Sequence, residues 1–128
     1  MSEIQALRAA LLSLHRELLQ VQRSEVERFG GRMTAAETLQ AAADDLRFSW
    51  LRELSTLVTA LDQARSAGDA QRVAASVERA GALLDPPDPD SSFGARYLRV
   101  LQEHPAAVLA HRDVTTALAR LPRPSDDS

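Results

Sequence analysis

The chain has no cysteine and no lysine. The first absence excludes disulfides, thiolate metal sites and a cysteine nucleophile. The second leaves arginine to carry all 15 basic charges, which reads as the coding bias of a GC-rich bacterial genome and says nothing of activity. Aromatic residues make up only 4% of the chain, whereas Ala and Leu abound, a balance that favours helices over sheets. No apolar run approaches the ~20 residues that span a bilayer. Met1-Ser2-Glu3 lacks the basic and apolar regions of a signal peptide. These absences together predict a soluble, cytoplasmic protein with no membrane role. A net charge of −3 and the lack of any basic run give no general attraction for nucleic acid.

The 128 residues suffice for one domain with its own core. Ser2-Glu3-Ile4-Gln5 has the form of a capping box, in which residues three apart satisfy each other's free backbone N–H groups. Beyond it, Ile4, Leu7, Leu11, Leu14, Leu18 and Val21 recur in steps of three and four, and Leu12, Leu19, Val26 and Phe29 widen the stripe. A long helix to about Phe29 follows, with Gly30-Gly31 as its stop. Thr34-Ala35-Ala36-Glu37 is a second capping box opening a short Ala-rich helix, for which Leu39 is the one large apolar anchor. A break is expected at Asp44-Asp45, since Asp is poor inside helices and good at their starts.

The stretch from there to about Ala67 holds the only Trp and the densest large apolar residues. At 100° per residue, Leu46, Trp50, Leu51, Leu54, Leu57, Val58 and Leu61 fall within an arc of roughly 140°, which predicts a central helix with several neighbours. Gly68 and Asp69 separate it from a helix over Ala70 to Leu84, whose inner face is Val73, Val77, Ala80 and Leu84. Pro86, Pro87 and Pro89 forbid helix in the acidic connection that follows. A further helix begins at Ser91 or Ser92 and carries Phe93, Tyr97, Leu98, Val100 and Leu101 on one side. His104-Pro105 interrupts it. The last helix, about Ala106 to Leu121, places Ala107, Val108, His111, Val114, Leu118 and Leu121 together, and Pro122 to Ser128 reads as a disordered tail. The predicted fold is all-α: residues 1–121 form an antiparallel bundle of four main helices with one or two short additional helices.

Helical bundles commonly carry chemistry as inward Glu and His ligands. Here Leu12, Leu101 and Val108 stand three residues before the three His, so the Glu-x-x-His pattern is missing. His111-Arg112-Asp113 matches the kinase catalytic loop only by chance, because Leu118 stands where that motif needs Asn. Gly30-Gly31 lacks the further glycines and Lys of a phosphate loop. Neither an enzyme nor a cofactor is expected. The Arg8/Arg16/Arg23 and Arg96/Arg99 groups read as solvated helix faces, with carboxylate pairing as the other reading.

His15 and His111 nevertheless sit inside apolar arcs, where a ring nitrogen must find a partner or water. One reading makes each a core His bonded to a neighbour such as Tyr97, Thr115 or a backbone carbonyl. A second brings His15, His111 and Tyr97 to a small polar pocket for a ligand or metal, and a third turns the two His toward a partner. Phe48 lies about 60° outside the central arc, where it either covers the Ala-rich helix or belongs to a surface interaction patch. The wide apolar stripe of the first helix points to contact with another protein, a homodimer being the simplest case. The acidic Pro segment Asp85 to Asp90 is a further candidate docking element.

Four segments, Leu14 to Leu19, Phe48 to Ser55, Arg96-Tyr97-Leu98 and Val108 to His111, together resemble a family of small uncharacterised bacterial helical proteins. The resemblance implies an all-helical fold and a bacterial source, with no activity attached. Members often carry Asp-Pro where this chain has Asp44-Asp45, which also implies a break there.

Overall fold

The computed structural model describes residues 2–121, apart from the side chain of Phe29. The expected tail from Pro122 and the expected place of Phe29 in the first stripe lie outside the described residues. The described residues form six α-helices and one 3₁₀ helix, with no strand among them.

The first helix, α1 (Glu3–Gly30), starts as its capping box dictates: Ser2 Oγ accepts the Gln5 N–H at 3.1 Å, and Gln5 Oε1 accepts the Ser2 N–H at 2.9 Å. It stops at Gly31, whose φ of 82° is open to glycine and strained for other residues. Thr34 and Glu37 repeat the box at the start of α2 (Ala35–Asp44), and those bonds hold the Glu37 carboxyl below its ordinary range. The break expected at Asp44-Asp45 is present. Asp45 is extended at φ −84° and ψ 127°, and its carboxylate accepts the Arg47 N–H and grips the Arg47 guanidinium at 2.7 Å.

Beyond the break the chain departs from expectation. Leu46–Leu51 is a 3₁₀ helix, and α3 (Arg52–Ser66) begins only after it. A 3₁₀ helix has about three residues per turn, so residues three apart eclipse. Phe48 and Leu51 therefore line one inward edge, at 0 and 3% exposure, which Leu54 of α3 continues at 0%, while Leu46 is turned out at 83%. The single 100° arc expected for this stretch is thus corrected at its start: Leu46 leaves the core and Phe48 enters it.

Gly68, at φ 65°, turns the chain into α4 (Ala70–Leu84), capped by Asp69. The Pro segment leads to α5 (Ser92–Glu103), capped by Ser91, and Pro105 opens α6 (Pro105–Ala119). Gly94 is needed where α5 meets that segment, because a Cβ there would overlap the Asp88 carbonyl.

The helix α1 packs most extensively on α6, and α3 on α4; α1 also touches α3, and α6 touches α4 and α5. Leu7, Leu11, Leu14 and Leu18 of α1 meet Leu54, Leu57 and Leu61 of α3 and Ala107, Val114 and Leu118 of α6 in one cluster. Each leucine so buried contributes about 2 kcal/mol relative to an exposed one. The α1–α3 contact is also tied by Arg8, which grips Asp62 through Nε at 2.6 Å and Nη2 at 3.2 Å.

The wide stripe of α1 is largely consumed inside the chain, since Leu12 and Leu19 pack half-buried against the core. That removes the stripe as a reason to expect a partner on α1. Two further positions are corrected. Leu39, the expected anchor of α2, is 69% exposed, and Thr38 is turned inward instead, its hydroxyl donating to the Thr34 carbonyl at 2.9 Å. Val108 is 43% exposed on α6, where Ala107 and Ala110 take the inward positions.

Candidate functional site

The structure brings two of the three expected pocket residues together. Tyr97 of α5 is fully buried, and its hydroxyl lies 2.6 Å from His111 Nδ1 on α6. Burial pushes the Tyr97 phenol well above its ordinary pKa, so it remains a neutral O–H. With His111 neutral and protonated on Nε2, the Tyr97 hydroxyl donates to Nδ1. Burial also lowers the His111 pKa, against an opposing pull from Asp85.

His15 does not join them through any hydrogen bond among the described residues. It is half-buried, and burial lowers its pKa. Its place on α1 is seven residues from Arg8 and seven from Gln22, close to two full turns either way. Arg8 bonds to Asp62 of α3, and Gln22 bonds both to Trp50 just before α3 and to Arg96 of α5, so His15 lies on the face of α1 directed to α3 and α5. No group of three or more His, Asp or Glu placed to hold a metal occurs among the described residues. Phe48 is wholly buried in the core, which removes it from any surface patch, and the 3₁₀ helix that carries it packs on α2, the Ala-rich helix. The 3₁₀ turn is the reason for that burial, as described above.

Sequence reasoning missed a different site. The rings of Trp50, Phe93, Tyr97 and His111 form a row with successive centroids 5.7, 5.4 and 5.4 Å apart. The His111 end of this row lies on α6, and the Trp50 end opens onto a cleft of about 290 Å³. Val21, Gln22 and Glu25 of α1 form one side of that cleft, and Ala95, Arg96, Arg99, Val100 and Glu103 of α5 form the other. Gln22 is only 3% exposed despite being polar. Its single Oε1 accepts both the Trp50 indole N–H at 2.9 Å and an Arg96 Nη2–H at 3.1 Å.

The Arg96 guanidinium also lies 5.4 Å from the centroid of the Trp50 ring, within cation–π range. It is therefore fixed twice, by the ring beneath it and by the amide beside it. Arg8 and Arg23 find carboxylates on Asp62 and Glu27, but neither Arg96 nor Arg99 forms an ion pair with a described residue. The signal available in the sequence was the lone Trp together with two Arg three residues apart. What it did not show was Gln22, an amide on the line of α1 shared with Arg8 and His15 and 28 residues from the ring it serves.

No helix among the described residues is long and apolar enough to cross a membrane. Comparison of the chain with protein-family models, with curated proteins and with solved structures found no match.

Proposed function

We propose that this chain is a non-enzymatic helical protein that works by contact with protein, in the first place with a second copy of itself. The observation that carries the reading is the pair Leu39 and Leu46, exposed by 69% and 83% on either side of the Asp45 break. Scattered exposed leucines are ordinary on soluble proteins. These two lie on consecutive elements, and Leu39 shares its helix face with Ala35, Ala36 and Ala43, all exposed. Small residues around a large apolar one allow a second helix to approach closely.

The same reading takes α1, α3, α4 and α6 as the main helices of an antiparallel four-helix bundle, with α2, the 3₁₀ helix and α5 attached. It rests on the close α1–α6 and α3–α4 packing. It also includes a cytoplasmic setting and membership of the bacterial family that the four quoted segments resemble. The polar side chains that meet on separate helices, Arg8 with Asp62, Tyr97 with His111 and Gln22 with Trp50 and Arg96, tie one another in place, which supports a role without chemistry of its own. A ligand or metal pocket built on His15 and His111 has less support, because His111 is engaged by Tyr97 and His15 bonds to neither among the described residues.

Hydrogen exchange at increasing protein concentration tests the reading. Amides of residues 35–46 are expected to gain protection as concentration rises, with the rest of the chain unchanged. Protection that is independent of concentration across this segment argues against it.

A further inference from the structure

We propose that the cleft between α1, the 3₁₀ helix and α5 is a binding site for the carboxylate of an acidic peptide segment, held by Arg96 and Arg99 beside Trp50. This goes beyond self-association and concerns a separate surface.

The geometry of Arg96 is that of a preorganised anion receptor. A guanidinium carries five N–H donors in a fixed planar fork that matches the two oxygens of a carboxylate. One Nη2–H is spent on Gln22, and the stack on Trp50 fixes the plane. Gln22 is in turn locked, because the same oxygen accepts the Trp50 N–H. Ordering a free arginine side chain on binding costs about 0.5–1.5 kcal/mol, and here the fold has already met most of that cost. Arg99, one turn along α5, lines the same cleft and has no carboxylate partner among the described residues.

The rest of the lining selects among anions. Glu25 and Glu103 also border the cleft, and their charge opposes a phosphate dianion more strongly than a carboxylate monoanion. Val21, Ala95 and Val100 offer apolar wall for methylene groups or for peptide backbone. The volume, about 290 Å³, lies at the lower limit for pockets that enclose small molecules. Both arginines are exposed at the rim, and Trp50 is half-buried. A shallow site built on Trp and Arg suits a side chain presented by a longer segment, since these residue types dominate protein–protein hot spots.

Trp50 is the only tryptophan, so its emission reports directly on the cleft. The full chain at fixed concentration and low salt is titrated with an acetylated, amidated hexapeptide of Ala with a single central Asp or Glu. The controls are the same peptide with Asn or Gln, acetate, and inorganic phosphate. A saturable change with the acidic peptide alone is expected. Arg96→Gln and Arg99→Gln, each checked for unchanged helix content by circular dichroism, are expected to weaken it by about tenfold and about threefold, given what charge-assisted hydrogen bonds contribute. Arg99 does not touch the ring, so its variant reads binding without altering the fluorophore. No saturable change, an equal response to the neutral peptide, or undiminished affinity in both variants overturns the site. An equal response to acetate overturns the peptide as ligand, and tighter binding of phosphate overturns the carboxylate.

Discussion

The hydroxyl of Tyr97 lies 2.6 Å from Nδ1 of His111, joining α5 to α6 at the His111 end of the aromatic row. Replacing Tyr97 by Phe removes the bond and keeps the ring, and is expected to cost about 1 kcal/mol of stability in urea denaturation.

The same pair makes stability depend on pH. Burial lowers the His111 and His15 pKa values below the ordinary 6.5. Between the folded and unfolded values the unfolded chain binds more protons, so stability is fully present above about pH 6.5 and falls as the pH drops below it. Protonation of Nδ1 also removes the acceptor used by Tyr97. Urea midpoints measured from pH 8 down to about pH 5, above the main carboxylate range, are expected to decline in the wild type. They are expected to decline much less in a His15→Gln/His111→Gln double variant.

The 3₁₀ turn gives two neighbouring residues opposite roles. Phe48→Ala is expected to cost about 3–5 kcal/mol, as for other large core aromatics. Leu46→Ala, at an 83% exposed position, is expected to stay within about 0.5 kcal/mol of wild type. A continuous α-helix across this stretch requires the reverse ranking, and thermal melts of the two variants distinguish them.

Gly94 is expected to tolerate no side chain. An added Cβ meets the Asp88 carbonyl, so Gly94→Ala must displace backbone and is expected to cost about 1–3 kcal/mol. Gly30→Ala serves as the control: nothing lies within 4 Å of a Cβ there, and a neutral or slightly stabilising effect is expected in the same denaturation assay.

Gln22→Ala is expected to lower stability by about 1–3 kcal/mol, because it strands the Trp50 indole N–H in a half-buried setting. It also frees Arg96 from its fixed position, and the Trp50 emission maximum is expected to move to longer wavelength as water reaches the ring.

The capping boxes at Ser2 and Thr34, the Gly31 stop and the Asp45 break could be read from the chain because each depends on residues a few positions apart. The core stripe of α1 was legible for the same reason. The misplaced residues share one cause, a local choice settled by tertiary packing. Over Leu46–Leu51 the chain winds at three residues per turn, and a 100° wheel cannot reveal that change of period. On α2, burial falls on Thr38, which satisfies its hydroxyl on its own helix, and the larger Leu39 is left outside. The cleft was illegible for a different reason. Gln22, Trp50 and Arg96 are far apart in sequence, and a single shared oxygen becomes visible only once α1 and α5 meet.

Self-association through the α2 and 3₁₀ surface is most directly tested by light scattering on the chain as it elutes from a sizing column, over a range of loading concentrations. The wild type is expected to approach twice the 14.0 kDa mass of one chain as concentration rises. A Leu39→Glu/Leu46→Glu variant with unchanged helix content is expected to remain at the mass of one chain. A wild type that stays at one-chain mass at the highest concentration, or a double variant that still doubles, contradicts the account.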